Sequence, residues 1–456
     1  MKVSLVFIAI FFCLILTASA QSIETPPPLQ LVQPQGPAAP PQVMTLQDAL
    51  DRARQLDAQY QLSVSDAMVA REDRLQAKAA VRPSVNHLTE YLGTQGNGRT
   101  PNGRYVTTDG VHVYRSWGIV HTDINSETFF KSTYRRAQAA EALAAARVEI
   151  AQRGLAVTVA RNYYALVTSQ RKYGTAQQSS QQAQRFLEIS QQQERLGQVA
   201  HSDVVKAQIQ YEQQRQTFQE AMLGIENSRL NLAVLLFPQL NENFTVVDDL
   251  DSAQTLPPFS AIQEMAANQN PALRVAQEAL RQATQEVRIA RNALLPSIAI
   301  DWNYGIEANA FALHSRAAGF PQEGPLPNLG YYVDGKFNLP IFDWGTRRSK
   351  VRQAQFREQQ ARVELTQAQR QLLGNLYLYY NEALTARAAV DALRRTADLG
   401  AESLRLINLR YQAGESTALE VVDAQNTLVQ VRNAYDDAQT RYRVALATLQ
   451  TVTGSF

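Results

Sequence analysis

The most regular pattern in the chain is a series of apolar and small residues that recur in alternating steps of four and three. In the second half these positions are Leu372, Leu376, Tyr379, Ala383, Ala386, Val390, Leu393, Ala397, Gly400, Leu404, Ile407 and Tyr411. Such spacing places side chains on one face of a helix and is typical of coiled-coil packing. No proline interrupts positions 126–197 or 343–414. The pattern therefore predicts two helices of about 70 residues, each on the order of 100 Å long.

Each long helix ends at a glycine turn that is followed by a returning helix. Residues 194–208 are ERLGQVAHSDVVKAQ, and residues 411–425 are YQAGESTALEVVDAQ. Gly197 and Gly414 lie 217 positions apart, and the Val-Val and Ala-Gln pairs that follow them match in the same register. The chain is therefore a tandem duplication of one helical hairpin.

Between the helices of each repeat, the apolar period changes from helical to two. Ile298, Ile300, Trp302, Tyr304 and Ile306 alternate with polar or small residues, which predicts a strand with one apolar face. We expect strands at about 297–308 and 329–341, and fainter equivalents at about 84–93 and 111–122. A soluble β-sandwich shows the same alternation. The aromatic residues favour a lipid-facing surface, made by Ile300, Trp302, Tyr304, Tyr331, Val333 and Phe337.

The lengths of the remaining helices suggest how they are arranged. The opening and returning helices of each repeat are each predicted to span about 37 residues, so that two of them nearly equal one long helix. Thr45 with Asp48 fits the start of the first opening helix, and Ser126 fits the start of the first long helix. Stacked end to end, the shorter helices would run beside the long ones as a wall.

Several segments lie outside this repeat pattern. Residues 1–20 have the lysine, apolar core and small-residue ending of an export signal, and residues 21–43 form a proline-rich linker that we expect to be extended or disordered. Repeat 1 is expected at 44–236 with its tip at 195–200, and repeat 2 at 259–456 with its tip at 412–417. Residues 237–258 would join them as a belt around the middle of the wall.

Composition narrows the classes of function. The formal charge of +2 gives no overall field that would attract nucleic acid, and the only cysteine, Cys13, lies in the export signal. Beyond that signal, no apolar run is long enough for a membrane-spanning helix, so strands are the candidates for any membrane crossing. The five histidines are scattered and no metal-ligand or catalytic motif is present. We expect no enzyme activity, no cofactor and no bound metal.

The motif at the two turns carries a family resemblance. In both repeats a glycine turn is followed by Ser or Thr, an acidic residue and a Val-Val pair, and in repeat 2 the small residue Ala413 precedes the glycine. This duplicated pattern resembles the outer-membrane efflux protein (TolC-like) family over nearly the whole chain after Met44. The resemblance implies a mainly α fold with a small β part. Duplicated hairpins would form an α-barrel, and four strands per chain would contribute to a trimeric transmembrane β-barrel of about twelve strands.

The same resemblance implies the function and the partners. It implies a passive channel and periplasmic tunnel in the outer membrane of a Gram-negative bacterium, which exports small molecules or polypeptides. The partners would be two further copies of the chain, a periplasmic adaptor, an inner-membrane transporter and outer-membrane lipid, with no nucleic acid. The alternative is a soluble periplasmic coiled-coil adaptor or scaffold, which would be expected to have one hairpin between compact β-domains rather than two hairpins.

The candidate gate lies just after the second turn. Glu420 and Asp423 share one helix face, and the resemblance associates acidic residues at these positions with the periplasmic entrance and Tyr411 with closing it. If three copies meet at an axis, the carboxylates would crowd one constriction and could bind cations. Ser416 stands where an arginine often completes the family's latch. Glu420 also fits a capping box with Thr417, so a purely structural role stays open for it.

The two turns are also candidate contact points. In the family, the hairpin tips contact the periplasmic adaptor, and the matching residues here are Leu196, Gly197, Gln198, Ala413, Gly414 and Glu415. The alternative for both glycines is that they supply only the positive φ angle of the turn.

Overall fold

A computed structural model describes residues 41–93, 112–238, 243–252, 254–308, 311, 313–318 and 325–454. The predicted export signal and nearly all of the proline-rich linker lie outside these residues. At the linker's end, Gln42–Met44 forms a short strand, so this part is extended, as expected, and paired with another strand.

The described chain contains nine helices and eight strands. The helices are α1 (Leu46–Leu56), α2 (Ala58–Ala79), α3 (Ser126–Phe130), α4 (Ser132–Arg195), α5 (His201–Leu236), α6 (Phe259–Gln269), α7 (Pro271–Asn292), α8 (Thr346–Gln412) and α9 (Ala418–Thr453). The strands are β1 (Gln42–Met44), β2 (Ser84–Gly93), β3 (His112–Ile124), β4 (Phe244–Val246), β5 (Ser297–Ala308), β6 (His314–Ala318), β7 (Pro325–Pro327) and β8 (Leu329–Asn338).

The opening helix of each repeat is divided in two, so the prediction of one continuous helix of about 37 residues was wrong. Asp57 ends α1 and caps α2, and Asn270 occupies the same place between α6 and α7. Both residues have extended backbone, and their side chains accept a backbone N–H of the following helix, from Tyr60 at 2.6 Å and from Leu273 at 2.9 Å. A capping side chain favours a new helix start over continuation. The predicted capping box of Thr45 with Asp48 is present at the start of α1.

The two long helices have 64 and 67 residues. Ser126 does not cap the first of them, contrary to the prediction. Asn125 caps the short α3, Ser126 donates a hydrogen bond to the Asn292 carbonyl oxygen, and Lys131 interrupts the chain in a left-handed conformation before α4 begins.

The helices form a wall in which each long helix has antiparallel neighbours. In the half near the strands, α2 contacts α4, α4 contacts α7, and α7 contacts α8. In the half near the turns, the order is α5, α4, α9 and α8. The end-to-end stacking that the lengths suggested is therefore present. The buried seams are rich in alanine, such as Ala137, Ala183, Ala383 and Ala386, which lets the helices approach closely.

One antiparallel sheet lies at the end of the wall, in the order β2-β3-β5-β8. Its register aligns the apolar positions of neighbouring strands, because Trp302 is opposite Val333 and Tyr304 is opposite Tyr331. Within the described chain β2 and β8 are the edge strands. The predicted fold class is confirmed in its helical and strand parts.

A short parallel pair, β1 with β4, lies near the middle of the wall and joins the start of repeat 1 to the segment between the repeats. The Tyr163 hydroxyl of α4 lies 2.8 Å from the Val247 carbonyl oxygen and 3.2 Å from that of Met44. Among the described helices, none is both long enough and apolar enough to cross a membrane. The domain bounds given above stay predictions.

Candidate functional site

The two hairpin turns have the same backbone geometry. Gly197 has a φ of 73° and Gly414 a φ of 77°. In each turn the glycine N–H bonds a carbonyl three residues back, and the next N–H bonds one five residues back. A left-handed glycine with this bonding closes a helix C-terminus. The positive φ angle that each turn requires is therefore sufficient to explain both glycines.

The side chains of the turns point away from the wall. Leu196 is 65% exposed, and Gly197, Gln198, Ala413, Gly414 and Glu415 are exposed as well. A Cβ atom at either glycine would meet no atom within 4 Å. The predicted contact residues thus form two free surfaces, one on each hairpin.

Tyr411 lies on the last turn of α8 and is buried between the two hairpins. Its ring is 5.1 Å from that of Phe186 on α4, and it packs in one cluster with Ala207, Ala418 and Val421. Its hydroxyl lies 3.1 Å from the Ser190 hydroxyl, so the pair forms a neutral hydrogen bond between the hairpins.

Glu420 is exposed at the start of α9, and its carboxylate is held by neighbouring hydroxyl groups. Ser416 donates to it at 2.6 Å and Thr417 at 3.3 Å, while the Glu420 N–H donates to the Thr417 hydroxyl at 3.4 Å. The hydrogen bond from Ser416, followed by those from Thr417, lowers the pKa of the Glu420 carboxyl. Thr417 therefore caps α9. Ser416, which replaces the arginine that often completes the family's latch, donates a hydrogen bond to the Glu420 carboxylate.

Asp423 lies one helical turn further and is exposed, with no hydrogen bond or ion pair of its side chain in the described part of the chain. The matching pair in repeat 1 is different, because Lys206 lies 3.9 Å from Asp203. The second turn is therefore the acidic one. Glu420, Asp423 and Tyr411 are close in the chain, but Tyr411 faces the first hairpin while the two carboxylates face solvent.

The sheet has one face of apolar and aromatic side chains. Trp302, Tyr304, Tyr331, Val333 and Phe337 are between 46% and 72% exposed, and Ile300 is half-buried. The Trp302 and Tyr304 rings are stacked with centroids 6.3 Å apart. An exposed aromatic band of this kind suits contact with lipid.

The opposite face of the sheet carries charges that the sequence pattern did not single out. Arg115 on β3 lies 3.1 Å from Glu90 on β2 and 3.0 Å from Glu307 on β5. Nearer the helices, His121 lies 2.5 Å from Asp301, and Lys336 lies 2.8 Å from Asp334. The alternation of polar positions could have indicated this face, but only the strand register shows which charges meet.

A third polar cluster ties the segment between the repeats to the middle of the wall. Arg171 on α4 reaches Asp248 at 2.5 Å, Asp251 at 2.7 Å and Asp436 on α9 at 3.4 Å. Burial tends to lower the pKa of Arg171, but the hydrogen bonds that it donates to Asp248 and Asp251 outweigh burial and raise the pKa. Burial raises the pKa of the Asp436 carboxyl, which Arg171 only partly offsets. The acidic run 248–251 was visible in the sequence, but its partner was not.

In the described residues no group of three histidine, cysteine or acidic side chains could hold a metal ion. The main features are instead a wall of helices built from two repeated hairpins, two exposed turns, and a sheet with one apolar and one charged face. Together these features favour a channel-forming protein.

Comparison with known proteins agrees with this class. The family model for "Outer membrane efflux protein" matches residues 262–455. The outer membrane protein TolC of Escherichia coli is 22% identical over 426 residues, which cover 91% of this chain and 83% of TolC. The Campylobacter jejuni CmeC outer membrane channel superposes with a TM-score of 0.75 at 17% identity, covering 90% of this chain and 85% of CmeC. The open-state MtrE outer membrane channel of Neisseria gonorrhoeae gives 0.72 at 22% identity, covering 90% and 88%.

Residues 262–455 thus match the outer membrane efflux protein family, and the chain is similar over most of its length to channels of this kind. It is a passive export channel of the Gram-negative outer membrane, with a long periplasmic part. The alternative of a soluble adaptor is not favoured.

Proposed function

We propose that this chain is one subunit of a homotrimeric channel that carries small molecules or polypeptides through the outer membrane, fed by a periplasmic adaptor and an inner-membrane transporter. The observation that supports it most is the open sheet, in which the outer edges of β2 and β8 have no partner strand within the described chain. Unpaired backbone groups cannot face lipid, so the sheet must close against other copies. Three copies would bring about twelve strands, an even number that can close a barrel.

The two faces of the sheet support the same arrangement. In a closed barrel, the band with Trp302, Tyr331 and Phe337 would face lipid, and the side with Arg115 and Asp301 would face the water-filled interior. The helical wall would continue the tube on the periplasmic side. No catalytic step is needed for such passage, and we expect the chain to have no enzyme activity of its own.

The turns support the proposed partners and the proposed gate. Leu196, Gly197 and Gln198 on one hairpin, and Ala413, Gly414 and Glu415 on the other, are free to meet an adaptor. Close to the second turn, three copies of Glu420 and Asp423 would gather carboxylates around the entrance, where they would attract cations. Tyr411 would hold this entrance closed through its contact with the first hairpin.

Cell fractionation tests the assembly. We expect the protein in the outer-membrane fraction, as an oligomer that migrates as a trimer in SDS without heating and as a monomer after boiling. A chain that is recovered folded and monomeric in detergent-free buffer would contradict the proposal, because its exposed aromatic face and sheet edges would then need no partner.

A further inference from the structure

Two residues in a left-handed backbone conformation lie where the sheet meets the long helices. Lys131 has a φ of 50° and Trp344 a φ of 55°, and no other non-glycine residue of the described chain has a positive φ. Lys131 directly precedes α4, and Trp344 with Gly345 directly precedes α8. Residues 125–136 and 339–352, which connect the sheet to the long helices, are the first and second junctions. A side chain with a Cβ atom is disfavoured in this conformation, and such strain is found most often at functional positions.

The apolar face of the sheet continues into the second junction. Phe337 lies near the end of that face on β8, and Leu339 and Ile341 follow it at the same alternate positions. Ile341 and Trp344 are 87% and 90% exposed, more than any other large apolar side chain among the described residues. The Trp344 ring meets the Phe342 ring edge-on, with centroids 4.8 Å apart. The second junction therefore presents an aromatic pair that the rest of the described chain leaves uncovered.

The first junction carries aromatic side chains in the corresponding place. Phe129 and Phe130 end the short helix α3 directly before Lys131, and both are exposed. Aromatic side chains at the end of a lipid-facing sheet suit the boundary between hydrocarbon and water. In the proposed channel, both junctions lie on the helical side of the sheet and therefore at the periplasmic surface of the membrane.

Basic residues follow the aromatic ones at both junctions. The basic residues near the two helix starts are Lys131, Arg135, Arg136, Arg347, Arg348, Lys350 and Arg352. Acidic residues are absent from the first turns of α4 and α8, and the first ones in these helices are Glu141 and Glu358. Positive side chains are unfavourable at a helix N-terminus, because the helix dipole already places positive charge there. An anion from outside the chain would relieve this repulsion.

The one acidic residue of the second junction, Asp343, is already occupied. Its carboxylate accepts the backbone N–H groups of Gly345 at 3.1 Å and Arg347 at 2.9 Å. The Arg347 side chain lies 3.8 Å from it. Arg348 and Lys350 are exposed, and their side chains make no hydrogen bond or ion pair with any residue that the structure describes. These cations are therefore available to an external anion.

We infer that the two junctions bind anionic phospholipid of the periplasmic leaflet of the outer membrane. Phe342 and Trp344 lie among the headgroups, and Arg347, Arg348 and Lys350 bind the lipid phosphate groups. The first junction adds its own aromatic and basic side chains to the same surface. This inference rests on the proposed channel and names the class of lipid that surrounds its periplasmic edge.

Competition between two lipids tests the role of the basic residues. When the purified oligomer is mixed with equal amounts of phosphatidylglycerol, which is anionic, and phosphatidylcholine, which is neutral, native mass spectrometry should show at least about fivefold more bound phosphatidylglycerol. Arg347→Gln with Arg348→Gln should reduce this ratio to about twofold or less, because two of the free positive charges are removed. Arg394→Gln with Arg395→Gln is the matched control, since it removes the same exposed dipeptide about 70 Å further along α8.

The control variant should keep the ratio of the unaltered protein. An unaltered oligomer that shows no preference for phosphatidylglycerol would overturn the inference. Equal ratios in the two double variants would overturn it as well, because the charge of the junction would then have no special effect. A monomer in the same spectra would instead refute the proposed assembly.

Fluorescence tests the position of the aromatic side chains independently of the arginines. Trp117→Phe with Trp302→Phe leaves Trp344 as the only tryptophan. Lipids brominated near the headgroup should quench it at least about twice as strongly as lipids brominated near the bilayer centre. Adding Trp344→Phe and Leu399→Trp moves the tryptophan to an exposed site about 80 Å along α8, where neither lipid should quench. Equally weak quenching at both sites would show that protein covers Trp344, and would overturn the inference.

Discussion

At the level of single residues, Asp423 differs from Glu420 and Asp203 because no side chain or backbone group in the described chain pairs with its carboxylate. Glu420 accepts hydrogen bonds from Ser416 and Thr417, and Asp203 lies beside Lys206. A carboxylate without a protein partner keeps its full capacity to bind a cation. If copies of Asp423 gather at the entrance, this residue should therefore govern cation binding there.

We predict that Asp423→Ala weakens the block of single-channel current by divalent cations about tenfold in planar-bilayer recordings. Asp203→Ala is the matched control. Asp203 is the repeat 1 equivalent of Glu420, and its carboxylate already lies beside Lys206. The control should leave the block unchanged. Equal block in Asp423→Ala and the unaltered protein would remove Asp423 from the gate.

The sequence could suggest these residues but not their surroundings. The Thr417 cap and the positive φ of both turn glycines follow from local rules, and both are present. The hydrogen bond between Tyr411 and Ser190 joins positions 221 residues apart, so no local pattern indicates it. The contact of Arg171 with Asp248 is of the same kind.

At the level of elements, the periodic segments were predictable and their interruptions were less so. The alternation at 297–308 indicated β5 because period two is a direct property of a strand. The break at Asn270 is signalled by Pro271, which favours the first position of a helix. The equivalent break at Asp57 has no proline, and an aspartate inside an amphipathic pattern is not by itself a stop.

The pairing of β3 with β5 yields a sharp prediction at Gly305. A Cβ atom there would lie 2.0 Å from the Ser116 carbonyl oxygen and 2.9 Å from the Trp117 Cα, so the two strands leave no room for a side chain. Gly305→Ala should force the strands apart and cost at least about 2 kcal/mol. The readout is the temperature at which the oligomer dissociates in SDS, which we expect to fall.

Gly330 is the control for that substitution, since it lies opposite Gly305 on β8 and an added Cβ would meet nothing within 4 Å. Gly330→Ala should leave the dissociation temperature nearly unchanged. If both variants behave alike, the close approach of β3 and β5 is not a constraint on the folded sheet.

At the level of the whole molecule, the tandem duplication is the property from which most else follows. It was visible in the sequence because Gly197 and Gly414 share their flanking residues, and it predicts two equivalent hairpins and an open wall. The contact between the two hairpins was not visible in the sequence. Only the three-dimensional arrangement shows that the second hairpin packs against the first through the rings of Tyr411 and Phe186.

That contact leads to a prediction about the closed state of the channel. Tyr411→Phe removes the hydroxyl that meets Ser190 and keeps the ring that packs on Phe186, so the hairpins lose one buried hydrogen bond per chain, about 1 kcal/mol each. Summed over three chains, the loss should shift the entrance towards open states and raise the fraction of time spent open about tenfold or more in planar bilayers. Tyr442→Phe is the control, because its hydroxyl bonds the Gln254 carbonyl at 3.0 Å in the middle of the wall. If both variants conduct like the unaltered protein, the contact between the hairpins at Tyr411 does not hold the entrance closed.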